Sequence, residues 1–575
     1  MLAPVPGAGE IRPSPTVGTG PLAPAVPVAA EEVSERPSGR GDRLLVAASM
    51  LVLASATGLR LPVRYWSDEG ISVGIASQPA SRIPGLLSRD GSPPLYYEML
   101  HAWMALAGRT EVATHSLSLI AAVLTVPALW WTARRVAGRP AARVAVVLAA
   151  GSPLLLWYGA ESRMYTMLAL AGTLTAGAFV RALGGDGRWW MVPAIAGGAV
   201  LAWLHDWGVF FVVGLAVAGW LVAWRRRDRR GGVAVSVFAG ATALLYLPWV
   251  PTLLHQLRHT GAPWATLPSL PAAVHDPLYA AFGSPWPVVI AVVVAAAGAR
   301  RRWAVGAVRA APDPGDAGLR LLAGAATLTV AIGWAAGRAG GSWAPRYLAV
   351  TAGPLLVLAA AAIVEAGRRA EPALRTKLTS AAVRAEGEMG SRPGRSGAVI
   401  LAFAGALVAC VSGVAPVVLG GGHGRNMKSD IAELAALLRP QIRPGDVVIV
   451  DQVSIVAVVS YYLGPHYVYV DPTGLVAAPF MVNWNDLVAR LRAARPTALV
   501  DELVSRLRPG QHLFVVGPMG WPASAPTSYG VLVAAQGRAL VAAAESGLSA
   551  EVGPTIGAGL RRDAYAVRAV ELSRP

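Results

Sequence analysis

Leu44–Pro62, LLVAASMLVLASATGLRLP, is followed within three residues by Tyr65-Trp66-Ser67-Asp68-Glu69. The first stretch is apolar and long enough to cross a bilayer as one helix. The second carries two adjacent carboxylates at the point where that helix ends. An ionisable group in hydrocarbon costs ~2.5–3.5 kcal/mol on insertion scales, so the pair faces water, protein or a polar substrate. An ordinary solvated loop end would also satisfy this, and what decides is how the rest of the chain is arranged around the pair.

Composition fixes the class. The chain has 575 residues, 54% hydrophobic and 14% charged. Soluble domains carry about 25% charged residues. The formal charge of +17 is spread over short basic clusters between apolar runs. That pattern sets membrane topology and gives no basis for nucleic-acid binding. A single cysteine, Cys410, rules out an intrachain disulfide framework and a cysteine-based metal site.

Residues 1–43 are rich in Pro, Ala and Gly without an apolar period and read as a disordered cytoplasmic tail. The clusters Arg134–Arg143, Arg225–Arg230, Arg300–Arg302 with Arg320, and Arg368–Arg395 are assigned to the cytoplasm. Candidate spans are 44–62, 113–133, 144–160, 165–183, 191–204, 208–224, 233–250, 286–299, 319–337, 347–366 and 398–418. The expected fold is an α-helical polytopic membrane protein of about 11 transmembrane helices. Ile71–Ala80 and Pro94–Leu106 are read as interfacial helices in a first external loop. The proline-rich loop 251–285 is expected to lack regular helix. From 421 onward, strand-like runs at Asp446–Val450, Tyr467–Val470 and His512–Val516 alternate with helical patterns at Met427–Leu438, Trp484–Ala494 and Leu532–Ala544. Three parts are therefore expected: the tail 1–43, a membrane catalytic domain 44–420, and an extracytoplasmic α/β domain 421–575.

This topology sorts the ionisable residues by side. Asp68 and Glu69 fall outside, as do Glu161, Arg163 and Tyr165 between spans three and four. His205 and Asp206, between spans five and six, and Arg346 and Tyr347, before span ten, fall there too. Each has a local explanation. Glu161 could pair only with Arg163, His205 and Asp206 could only cap helices, and Arg346 could only snorkel to headgroups. Their shared side favours a common cleft. A carboxylate suits a base acting on a hydroxyl. An arginine suits a bidentate phosphate clamp.

These motifs resemble the GT-C class of polyprenyl-phosphate-sugar glycosyltransferases, in the family 39-like branch of protein O-mannosyltransferases and aminoarabinose transferases. The resemblance rests on Trp66-Ser67-Asp68-Glu69, on Ser92-Pro93-Pro94-Leu95-Tyr96-Tyr97, on Ser152-Pro153 with Tyr158-Gly159-Ala160-Glu161-Ser162-Arg163-Met164-Tyr165, and on Pro345-Arg346-Tyr347-Leu348, in that order. It implies a GT-C-like bundle in the plasma membrane. It also implies transfer of a hexose or pentose, with inversion, from a polyprenyl-phosphate donor to a cell-envelope acceptor. Asp68 would be the base and Glu69 its catalytic partner. Arg346 would hold the phosphate, and Glu161 and Arg163 would line the site. Tyr165, His205, Asp206 and Tyr347 complete the candidate substrate-binding set. The residue before Pro93-Pro94 is Ser92 where this group often carries histidine or a charge, so no metal ligand is carried over and a divalent metal stays open. A lipid flippase is the alternative of a different class. It fits less well, because transporters place polar groups near the bilayer centre rather than at one face. A membrane-anchored binding protein would not account for the charges at that face.

Overall fold

The structure, a computed structural model, describes residues 39–283, 314–385, 397–419, 428–508, 510–518, 527–545, 551–556 and 567–573. Most of the expected tail, the expected span 286–299 and the basic cluster Arg300–Arg302 lie outside them. Seven helices among the described residues are long and apolar enough to cross a membrane, and the chain is a multi-pass membrane protein.

The bundle begins with α1, Arg40–Gly58. Three short helices follow, α2 (Ser67–Ala76), α3 (Ile83–Asp90) and α4 (Leu95–Ala107). They fill the first long loop where two interfacial helices were expected. In α2 the Glu69 side chain reaches back to the Trp66 backbone, and Asp68 and Glu69 place negative charge in the first turn, the end of a helix that favours it.

The next element, α5 (Glu111–Ala150), joins two expected spans. Its direction breaks at Gly138, whose φ of 81° suits glycine but strains a residue with a Cβ. Then come α6 (Pro153–Tyr158), α7 (Tyr165–Leu183), α8 (Met191–Leu204), α9 (Asp206–Arg225) and α10 (Arg229–Tyr246).

The proline-rich loop departs from expectation. It contains α11 (Val250–His259) and α12 (Ala272–Phe282). Pro251 occupies the first turn of α11 and Pro271 the N-cap of α12, positions where the missing N–H has no helical partner to lose. The membrane part ends with α13 (Pro314–Gly340), a 3-10 helix Pro345–Thr351, α14 (Ala352–Ala385) and α15 (Gly397–Leu419).

Beyond residue 428 lie α16 (Ile431–Leu438), β1 (Val447–Val450), α17 (Val456–Leu463), β2 (Val468–Asp471) and β3 (Gly474–Leu475). They are followed by α18 (Leu487–Ala493), α19 (Pro496–Arg506), β4 (His512–Pro518), α20 (Ser528–Glu545), β5 (Glu551–Ile556) and β6 (Val567–Ser573). The six strands form one sheet in the order β3-β2-β1-β4-β6-β5. β1 pairs parallel with β2 and β4, and the other pairings are antiparallel. This sheet unit docks on the first loop: α17 packs against α2, and Tyr462 accepts a hydrogen bond from the Tyr65 backbone N–H at 2.8 Å.

Ion pairs mark one end of the bundle. Buried Asp42 pairs with Arg139 and Arg143, and Arg135 pairs with Asp186 at 2.6 Å. The N-terminus of α1, the Gly138 bend and the α7–α8 turn therefore meet there. The Asp68–Arg346 pair lies at the other end.

Candidate active site

The first turn of α2 is the floor of the site. Asp68 is partly exposed and lies 3.4 Å from the Arg346 guanidinium, whose side chain is 20% exposed. Both groups are thus fixed yet reachable from the cleft. The Arg346 guanidinium stands over aromatic faces, 4.7 Å from Trp264, 5.4 Å from Tyr347 and 5.7 Å from Trp66. Such faces hold a cation electrostatically without consuming its N–H donors. Its Nε has no hydrogen-bond partner.

Arg163 anchors the same turn. It donates to Ser72 Oγ at 2.9 Å, to the Asp68 carbonyl at 3.4 Å and to the Tyr165 hydroxyl at 3.4 Å. Tyr165 packs edge-on against Tyr158 and lies 6.3 Å from Tyr347. His205 caps α9 by accepting the Trp207 N–H at Nδ1, and its ring lies 4.6 Å from Tyr347. Burial, with Arg163 and then Arg346 nearby, pushes His205 down to about 3, so it is neutral.

Glu69 departs from its expected part. Its carboxylate is fully buried and turned into the protein. It accepts from His115 Nε2 at 2.7 Å, the Ser162 N–H at 2.8 Å, and Lys428 Nζ at 2.8 and 2.9 Å. The other His115 nitrogen lies 2.7 Å from the Leu61 carbonyl. Burial raises the Glu69 carboxyl, but Lys428 and His115 more than offset this and hold it well below the ordinary range. Its lone pairs are thus engaged by donors of the protein itself.

Glu161 stands beside it, 4.0 Å from Lys428, with Oε2 buried and unpartnered. Burial, with Glu69 and Asp68 close by, pushes it up to about 7 against the pull of Lys428 and Arg346. Asp206 is not brought in. Its Oδ1 is buried without a partner, and among the described residues no ion pair joins it to the cleft.

Sequence reasoning passed over Lys428, His115 and Asp90. Asp90 accepts from Tyr97 at 3.2 Å, and burial pushes it up to about 6 despite Arg163. Lys428 had a signal. The chain has two lysines, Lys377 and Lys428, among its 50 basic residues, so a lysine where arginine is the rule marks a site that needs one. His115 and Asp90 had none beyond being polar in apolar surroundings. Among the described residues no three His, Cys, Asp or Glu side chains stand close enough to share a metal ion.

A family model described as dolichyl-phosphate-mannose-protein mannosyltransferase matches residues 91–254. That segment holds the Ser92–Tyr97 and Tyr158–Tyr165 motifs but neither Asp68 nor Arg346. No curated protein matches the chain. Crystal structures of ArnT from Cupriavidus metallidurans, bound to undecaprenyl phosphate and in the apo state, superpose with TM-scores of 0.54 and 0.55. Both are 16% identical to this chain and cover 92% of it and 97% of their own length. At that identity the likeness is one of fold. The resemblance to the GT-C class read from the motifs holds at that level.

Proposed function

We propose that this cleft moves a sugar from a polyprenyl-phosphate donor to a hydroxyl of a cell-envelope acceptor at the outer face of the plasma membrane. The observation that carries this reading is the pairing of Asp68 with Arg346 at the mouth of an otherwise buried charged cluster. Asp68 takes the proton from the acceptor hydroxyl. The freed oxygen attacks the anomeric carbon from the face opposite the leaving group, with inversion. The bond from that carbon to the phosphate oxygen breaks, and the polyprenyl phosphate departs with the electron pair. Arg346 meets its charge with the fork geometry that suits phosphate. Arg163 and Tyr165 hold the α2 turn, and the Tyr158, Tyr347 and Trp264 rings wall the sugar from water. The family match at 91–254 and the ArnT-like fold support the donor class.

The test uses membranes containing the native acceptor and labelled polyprenyl-phosphate mannose or polyprenyl-phosphate arabinose. Asp68→Asn keeps the size of the side chain but cannot take the proton. Its turnover should fall ~10²–10⁴-fold, with binding of undecaprenyl phosphate retained. Arg346→Ala should instead weaken that binding. Near-normal turnover in a folded Asp68→Asn variant would move the base elsewhere. Lipid reorientation by a wild type that transfers neither sugar would favour a flippase.

A further inference from the structure

Lys428 is the first described residue after α15, 359 positions from Glu69, yet its ammonium lies inside the site. It spends its three N–H bonds on acceptors from two separate segments. These are the two Glu69 carboxylate oxygens at 2.9 and 2.8 Å and the Ala160 carbonyl at 2.8 Å. Glu161 lies 4.0 Å away, and the lysine side chain is 10% exposed. A compact ammonium fits such a tripod, and a planar guanidinium does not. The adjacent residue continues the grip: Ser429 donates to the Tyr65 carbonyl at 2.6 Å.

Both segments held by Lys428 run into the reacting groups. Glu69 is the neighbour of Asp68. The Ala160–Glu161 turn leads through Ser162, whose N–H binds Glu69, to Arg163, which holds the Asp68 carbonyl. We propose that Lys428 is a positioning residue for sugar transfer, supplied by the segment that opens the C-terminal α/β unit, and that it sets the place of Asp68 by tying Glu69 to the Ala160–Glu161 turn. The proposal rests on the transfer reading above. It makes the C-terminal unit part of the site's construction and not an appendage to it.

A misplacement of about 1 Å costs on the order of 10²-fold in rate, so Lys428→Met should lower kcat by about that factor. Its affinity for undecaprenyl phosphate should stay near that of the wild type, because Arg346 is untouched. Lys428→Arg should remain low, since it restores charge without the tripod. Methylammonium should restore part of the turnover of Lys428→Ala by refilling the ammonium position. The double variant Glu69→Gln with Lys428→Met exchanges a buried ion pair for neutral groups, which keeps the fold even if the single variant does not. It should stay slow while binding undecaprenyl phosphate. In the single or double variant, hydrogen exchange should show lost protection at the Ser162 amide and unchanged protection in the β-sheet.

Full turnover in Lys428→Met, or restored turnover in the double variant, would overturn the proposal. So would an unchanged Ser162 amide. Wild-type turnover separates the two claims. If the wild type transfers neither labelled sugar, the function reading falls, and the transfer role of Lys428 falls with it. If the wild type and Lys428→Met transfer equally, only the positioning role falls.

Discussion

Glu161 is the residue whose ionisation the site leaves least settled. It faces Lys428, Glu69, Arg346 and Asp68, with Arg60 also within electrostatic reach, and one of its oxygens has no partner. Its carboxyl is raised from 4.5 to about 7. Between those values the folded state binds a proton that the unfolded state has lost, so stability falls as pH rises through that window. Above it Glu161 ionises and competes with Glu69 for the single lysine. Turnover of the wild type should therefore decline with an inflection near pH 7. Glu161→Gln should remove that inflection and raise the unfolding midpoint above pH 7, while leaving it unchanged below about pH 4.5. A pH series of initial rates and melting curves reads both, and an unmoved inflection would assign it to another group. At this scale the sequence grouped these charges at one end of the spans but could not say which of them touch. Asp68, Glu161, Arg163 and Arg346 do converge. Asp206 does not, and Glu69 turns inward, because rotation about a helix axis is invisible in a list of helix ends.

The elements were legible wherever apolar length decided them. The predicted spans 165–183 and 191–204 coincide with α7 and α8. Length alone could not show that Gly138 folds two spans back to back within α5. Nor could proline counting show that Pro251 and Pro271 begin helices in 250–282 and that α12 runs through Pro277. In the C-terminal unit the run Val456–Leu463 has three β-branched residues in eight and no clear period, and α17 went unread. That helix matters because α2 meets it without spacing. A Cβ at Gly70 would lie 2.7 Å from the Val458 backbone, and one at Gly74 would run into the Phe480 carbonyl oxygen in the loop after β3. Backbone cannot swing aside as a flexible side chain can. Gly70→Ala should therefore destabilise the protein by ~1–3 kcal/mol and slow transfer, although it touches no reacting atom. Gly85→Ala in α3 meets nothing within 4 Å and should be neutral or slightly stabilising. Thermal unfolding of the two variants compares them directly. Equal midpoints would mean that the α2–α17 contact yields without cost.

Among the described residues two sets of charged groups stand at opposite ends of the bundle. Asp42, Arg135, Arg139, Arg143 and Asp186 gather at one end of the bundle. Asp68, Glu69, Glu161, Arg346 and Lys428 gather at the other. The C-terminal unit sits with the second set, since Lys428, Ser429 and Tyr462 all bond to the first loop. Contacts this distant in sequence leave no local pattern, which is why the chain read as a membrane enzyme with an appended domain. The two sets also make orientation testable. The positive-inside rule assigns the arginine-rich end, with Arg225–Arg230 joining α9 to α10, to the cytoplasm. The site and the sheet unit would then face outward, where a polyprenyl-phosphate donor and an envelope acceptor meet. Cys410 is the sole cysteine and is buried, so Cys410→Ser gives a silent background. Single cysteines at 226–230 should resist an impermeant thiol reagent in intact cells and react after permeabilisation. A cysteine at exposed Glu502 should react in intact cells. Labelling at 226–230 from outside would invert the whole arrangement. The transfer chemistry would then have to draw on a cytoplasmic donor, at odds with the proposed function.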